Sequence, residues 1–226
     1  MSVDVVSDAS QMRRPLQSRQ SRWAVAAACW LTRRQVQPNA ISLGSMVFAA
    51  GAGVCLGLSA DATSPLRLAL LLAAATMIQL RLVCNLLDGM VAIEGGLKTR
   101  GGELFNDVPD RISDPLILVA AGYAVLWGQA GPTLGWTAAT LAVGTAYVRV
   151  LGVSVGSPQY YLGPMAKQHR MAAMTIACLA GGLETMLLQP YSGSAIGTAL
   201  VVIVLGSAVT VARRLRRIAA DLNSRP

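Results

Sequence analysis

Six long apolar runs decide most of what this chain can fold into. A helix needs roughly 20 mostly apolar residues to cross a bilayer. The sequence offers six such runs: Asn39–Ala60, Leu66–Ala92, Glu103–Trp127, Leu134–Val155, Ala166–Leu188 and Ser194–Ala219. Charged residues make up 13% of the chain, about half the share usual in soluble domains, roughly 25%. The expectation is an all-α integral membrane protein with six transmembrane helices in one domain, residues 37–226. The second and third runs exceed what a bilayer requires, so their polar ends should project past the hydrocarbon.

Ahead of that domain, Trp23, Ala27, Trp30 and Leu31 recur at helical spacing, flanked by Arg22, Arg33 and Arg34. This predicts a short interfacial amphipathic helix over residues 21–36. Pro38 marks the turn that follows, and Asn39 is the expected cap of the first spanning helix. Residues 1–20 are polar, rich in Ser and Arg, and lack the apolar stretch of a secretory signal. They read as a disordered basic tail. Cys29, Cys55, Cys84 and Cys178 are scattered, with neither metal-ligand spacing nor a disulfide framework.

The net charge of +8 invites a nucleic-acid reading, but its distribution argues against one. Arg and Lys gather at the N-terminus, between runs two and three (Lys98, Arg100), between four and five (Lys167, Arg170) and near the C-terminus (Arg213, Arg214, Arg216, Arg217). The alternate loops hold almost none, with Arg67 the exception. That asymmetry is the positive-inside pattern. It predicts a multi-pass protein of the inner (cytoplasmic) membrane with both termini cytoplasmic, its basic residues meeting anionic headgroups rather than nucleic acid.

Six of the eleven acidic residues fall between Asp88 and Asp114. Carboxylates at the ends of hydrophobic segments are costly and usually mark a site. Asn85 and Asp88 are three apart, Asn106 and Asp110 four apart, and Asp107 precedes Asp110 by three, so each set shares a helix face. Two helix ends thus present oxygen ligands across a loop containing Gly95-Gly96 and Gly101-Gly102. Such ligands suit Mg²⁺ or Mn²⁺, and a hard divalent ion at a membrane surface most often handles phosphate.

The stretch from Asn85 to Asp110 resembles the signature of the CDP-alcohol phosphatidyltransferase family. That signature runs Asp, two residues, Asp-Gly, two residues, Ala-Arg, about eight residues, Gly, three residues, Asp, three residues, Asp. Asp88, Gly89, Ala92, Gly102 and Asp110 match it. Asn85 and Asn106 stand at the first and third aspartates, and Ile93 at the arginine. Pro38-Asn39 and Gly163-Pro-Met-Ala-Lys167 are also similar to the family. The resemblance implies a CDP-linked donor, CDP-diacylglycerol (CDP-DAG) or a similar CDP-alcohol, an alcohol acceptor and release of CMP. It implies one or two Mg²⁺ or Mn²⁺ ions on Asn85, Asp88, Asn106, Asp107 and Asp110, with Asp110 as general base and an active site at the cytoplasmic face. Gly89, Ala92 and Gly102 would border the CDP moiety. Arg149, Lys167 and Arg170 would receive the acceptor, favouring a phosphorylated one. Members of the family commonly pair as homodimers.

The two asparagines halve the charge available for two ions; Glu94, Glu103 or Asp107 would have to assist a second. Lys98, Arg100 or Arg111 could replace the arginine missing at Ile93. His169 reads as a surface residue, and Asp61 and Glu184 as solvated outer-side acids. Asp107 and Asp114 serve either as ligands or as partners of Arg111. Two other classes stay open on sequence alone, a small membrane transporter and a non-catalytic family member that binds lipid or nucleotide.

Overall fold

Apolar runs in which every backbone donor must find a partner without water become helices. The computed structural model describes residues 21–94, 96, 102–188 and 190–224, and at 94, 102, 103, 105 and 106 the backbone alone. Among these residues there are seven helices: α1 (Arg22–Arg33), α2 (Pro38–Ser59), α3 (Ser64–Glu94), α4 (Gly102–Tyr123), α5 (Ala130–Ser154), α6 (Lys167–Leu187) and α7 (Ser194–Asn223). The predicted tail lies outside the described residues, as do Gly95, Lys98, Arg100 and Gly101.

Four helices, α2, α3, α5 and α7, are long and apolar enough to cross a membrane. Helices α4 and α6 carry the charges of the site and are not among them. The protein has the character of a multi-pass membrane protein, with polarity inverted relative to a soluble one. Val47, Ile176 and Leu187 lie exposed on helix surfaces, whereas Arg81, Asp88, Asp114, Arg170 and Arg214 are buried. Water-soluble monomers rarely present so continuous an apolar exterior.

Helix boundaries depart from expectation where local chemistry decides. Pro38 is the first residue of α2, where its missing N–H costs nothing. Gln37 occupies the cap position without a side-chain bond, so Asn39 lies inside the helix rather than capping it. Helix α4 stops at Tyr123 rather than Trp127, and Gly128, at φ 57°, turns the chain. Helix α5 begins four residues early because Pro132 falls within its first turn. Helix α7 continues to Asn223 through its arginines.

The helices close a ring. Helix α2 packs on α3 and α4, α4 on α5, α5 on α7, α7 on α6, and α6 on α3. Leu56, Leu71, Ile78, Ile117, Met171, Met174, Leu200 and Ile203 fill its interior. Where α4 meets α5 the backbones nearly touch: a Cβ at Gly131 would stand 2.6 Å from the Gly122 carbonyl oxygen, and one at Gly135 2.8 Å from that of Leu118. Small residues permit this approach, a common basis of helix association in lipid.

Helix α1 lies on α3, burying Ala24 and Ala28 against Leu87, Met90 and Val91. Ala27 and Leu31 belong to that contact, but Trp23 and Trp30 are exposed. The alanines thus face the bundle and the indoles its exterior.

At the opposite end Glu184 is buried, not solvated as its isolation suggested. Its Oε1 accepts hydrogen bonds from Ser192 N (3.3 Å), Ser192 Oγ (3.0 Å) and Ser194 N (3.1 Å), and its Oε2 from Ala195 N (3.0 Å). The carboxylate thereby caps α7, where the helix dipole also favours negative charge. Asp61 is exposed as expected. Arg67 donates to the carbonyls of Ser59 and Ala60 at the end of α2 and lies 4.3 Å from the Tyr191 ring centroid.

Candidate functional site

Helical spacing gives α3 and α4 one polar stripe each. Arg81, Asn85 and Asp88 fall at i, i+4 and i+7 on α3, and Asp107, Asp110 and Asp114 at i, i+3 and i+7 on α4. Asp88 is 3% exposed, and its Oδ2 accepts a 2.6 Å hydrogen bond from Ser42 Oγ of α2. Its Oδ1 and the Asn85 Nδ2 are buried without a partner. Arg81 of the α3 stripe pairs with Asp110 and Asp114 of the α4 stripe, so the two stripes do converge.

Cations dominate the α4 side. Arg81 Nη2 lies 3.2 Å from Asp110 Oδ1 and 2.7 Å from Asp114 Oδ1. Lys167 forms an ion pair with Asp110. Asp114 Oδ2 accepts a 2.8 Å bond from Arg170 Nη2, while Arg170 Nη1 donates to Thr145 Oγ1 and to the Met165 carbonyl, both at 3.3 Å. Asp107 Oδ2 accepts from Arg111 Nη2 at 2.8 Å, and Arg149 Nη2 reaches both Asp107 oxygens at 3.3 and 3.4 Å.

Lys167 is the first residue of α6, an unfavourable place for a cation in the field of a helix dipole. The Asp110 carboxylate offsets that cost. The preceding segment is pinned by Thr210 of α7, whose Oγ1 accepts a 3.0 Å bond from Met165 N. Gly163, at φ 119°, passes so close that a Cβ there would stand 2.5 Å from the Thr210 methyl carbon. Only glycine fits both the dihedral and the space.

Beside these ion pairs opens a cleft of about 170 Å³. Arg111, Arg149, Lys167, Arg170 and Arg214 line it, with Tyr161 at its edge. Arg149 lies over the Tyr161 ring, 5.9 Å from the centroid, and Arg214 donates to the carbonyls of Thr145 (2.5 Å) and Leu162 (2.9 Å). Anion binding in so crowded a set of cations would relieve their mutual repulsion.

The structure thus brings together Asn85, Asp88, Asp107, Asp110, Arg149, Lys167 and Arg170 from the sequence-derived set. Gly89 and Ala92 follow Asp88 on α3, half-buried, and Gly102 opens α4. Asn106 lies on α4 by its backbone; its side chain, like those of Glu94 and Glu103, lies outside the description. Ile93 is exposed. His169 is at the surface, with Nδ1 2.7 Å from the Pro164 carbonyl oxygen. Sequence reasoning missed Ser42, Arg81 and Arg214. Arg81 had a signal, a lone cation inside a long apolar run and in register with Asp88. Ser42 had none.

Among the described residues, no group of three or more His, Cys, Asp or Glu side chains is placed to hold a metal ion. Among the described residues, a feature that fits a cation is the unpartnered, buried Oδ1 of Asp88 beside Asn85. A hard ion could satisfy that oxygen with help from the asparagine.

Neither a protein-family model nor a curated protein sequence matches the chain. Solved structures do. The chain shares its fold with the phosphatidylinositol phosphate synthase PgsA1 of Mycobacterium tuberculosis. With CDP-DAG bound, that protein superimposes at a TM-score of 0.69 and 18% identity, covering 88% of this chain and 94% of the other. Its complex with manganese and citrate gives 0.69, 19%, 86% and 88%, and its apo form 0.65, 18%, 84% and 93%. At these identities the likeness establishes a common fold over nearly the full length of both chains.

Proposed function

We propose that this protein transfers a phosphatidyl group from CDP-DAG to a phosphorylated alcohol and releases CMP. The carrying observation is the convergence of the Asp88 and Asp110 stripes, joined through Arg81, beside a cleft lined by five cations. A neighbour of the same fold binds CDP-DAG, and another of its structures holds manganese. All six long helices would cross the membrane, with α1 in the cytoplasmic interface and the site at the cytoplasmic face.

In this reading Asp88 would hold a divalent ion with Asn85 and the Asn106 amide, while Asp110 is paired with Arg81 and Lys167. A bound ion would neutralise charge on the donor pyrophosphate. Gly89, Ala92 and Gly102 leave room for the nucleotide. The acceptor's phosphate lies among Arg149, Lys167, Arg170 and Arg214, which directs its hydroxyl at the donor's β-phosphorus. A new P–O bond forms there, the bond to CMP breaks, and Asp110 takes the hydroxyl proton. Lys167 moves from Asp110 toward the incoming phosphate, freeing the carboxylate to act as base. Asp107 holds Arg149 and Arg111 in place.

A transporter would place coupling residues near the midplane, often in paired repeats. Here the acids gather toward one end, and Glu184 at the other is committed to capping. The discriminating experiment is CMP release from CDP-DAG by purified protein, with a panel of free and phosphorylated alcohols. Release with inositol phosphate or glycerol 3-phosphate, and not with inositol or glycerol, is expected. Nucleotide-independent ion flux in liposomes without CMP release would overturn the proposal.

A further inference from the structure

Arg81 has no packing reason to be an arginine. Among the described residues it is the largest fully buried side chain, at 0% exposure, on a helix whose interior neighbours are Ala74, Ile78 and Leu87. A methionine or leucine would fill such a place without the desolvation cost of a charge. Its Nη2 meets Asp110 and Asp114 together, while Nε and Nη1 have no partner. A guanidinium kept in that state must answer a charge requirement of the site.

That requirement can be counted. Asn85 and Asn106 are neutral where the resembled signature has carboxylates, so two negative charges are missing. Asp107 is engaged by Arg111 and Arg149, and both Asp114 oxygens by Arg81 and Arg170. Asp110 meets Arg81 and Lys167 through one oxygen, so among the described residues the buried, unpartnered carboxylate oxygen that no cation faces is Oδ1 of Asp88. From the bundle interior Arg81 supplies a fixed positive charge to Asp110, the carboxylate nearest the expected chemistry.

We propose that Arg81 is a built-in cation standing in for a second divalent ion, so that the site binds one divalent ion per chain, on Asp88. The choice of ion rests on the phosphotransfer reading above; the count rests on the comparison of charges with the resembled signature and on the cations that face Asp110. Like charges at this range exclude one another, so a divalent ion placed against Asp110 would face Arg81 and Lys167.

Manganese alone is the probe, added to the detergent-purified full chain and read by titration calorimetry and electron paramagnetic resonance. One Mn²⁺ per chain with an isolated six-line spectrum is expected, together with loss of that binding in Asp88→Asn. Two spin-coupled ions in the unmodified chain, no binding at millimolar Mn²⁺, or unchanged binding in Asp88→Asn would each overturn the proposal. The triple variant Arg81→Gln, Asn85→Asp, Asn106→Asp should gain a second, coupled ion; if it folds and still binds one, Arg81 is not the determinant. Arg81→Lys, which keeps the charge, should still bind one, and a second ion there would count against the role assigned to the charge. One ion with no CMP release under any acceptor would leave this inference standing and defeat the transferase reading. CMP release with two coupled ions would do the reverse.

Discussion

Asp88 and Asp110 differ in what they touch, and so should their variants. Asp88 binds Ser42 and keeps one oxygen unpartnered; Asp110 is held by Arg81 and Lys167. A positioned general base contributes about 10²- to 10⁴-fold, so Asp110→Asn should lower kcat for CMP release by that order while Mn²⁺ binding persists. Arg149→Met should instead raise KM for a phosphorylated acceptor at least about tenfold, the equivalent of roughly 1.4 kcal/mol, leaving KM for CDP-DAG within a factor of two or so. Equal effects on both substrates in steady-state kinetics would move Arg149 out of the acceptor pocket. At this scale the sequence was informative where spacing carries meaning. Helical register and charge in an apolar context single out Asp88 and Asp110, the resemblance adds Lys167 and Arg170, and the structure places Lys167 against Asp110 and Arg170 against Asp114. Ser42 and Arg214 were not legible, since a serine and one arginine among four carry no local sign of a partner 46 or 69 residues away.

Helices were legible in number and approximate span, less so at their ends. An apolar run reports how far a helix can extend, but its ends follow from bonds made elsewhere. Glu184 illustrates this: an acid near the end of one helix completes the start of the next. Glu184→Ala should lower stability by about 1–2 kcal/mol, the usual range for losing a helix cap. Thermal unfolding in detergent should show the loss, with CMP release per folded molecule unchanged. The α4–α5 contact is a second element-level test. Gly135→Val puts a branched side chain where a single Cβ already meets backbone at 2.8–2.9 Å. Overpacking typically costs 1–3 kcal/mol, so a lower melting temperature or loss of monodispersity is expected; an unchanged melting curve would mean the helices separate freely there. Helix α1 is legible as amphipathic from its tryptophans, but its contact with α3 is not, because small alanines carry little weight in a hydropathy reading although they make the contact.

For the molecule as a whole, inverted polarity and a ring of helices place charge inside and hydrocarbon outside. The membrane class was evident from composition, whereas the pairing order of the helices was not, since every apolar run looks alike to its neighbours. Orientation is testable through Cys29, an exposed cysteine on α1. In a chain retaining only that cysteine, a membrane-impermeant maleimide should label inverted vesicles and spare right-side-out ones; the opposite pattern would place the site on the other face. The most direct measurement is a CMP-release time course on purified protein with CDP-DAG, Mn²⁺ and a phosphorylated alcohol, run beside a chelator control and Asp88→Asn. CMP appearing in step with a new phospholipid, and lost in both controls, is the predicted result. Stable CDP-DAG binding with no CMP under any acceptor, or release that survives both controls, would contradict it.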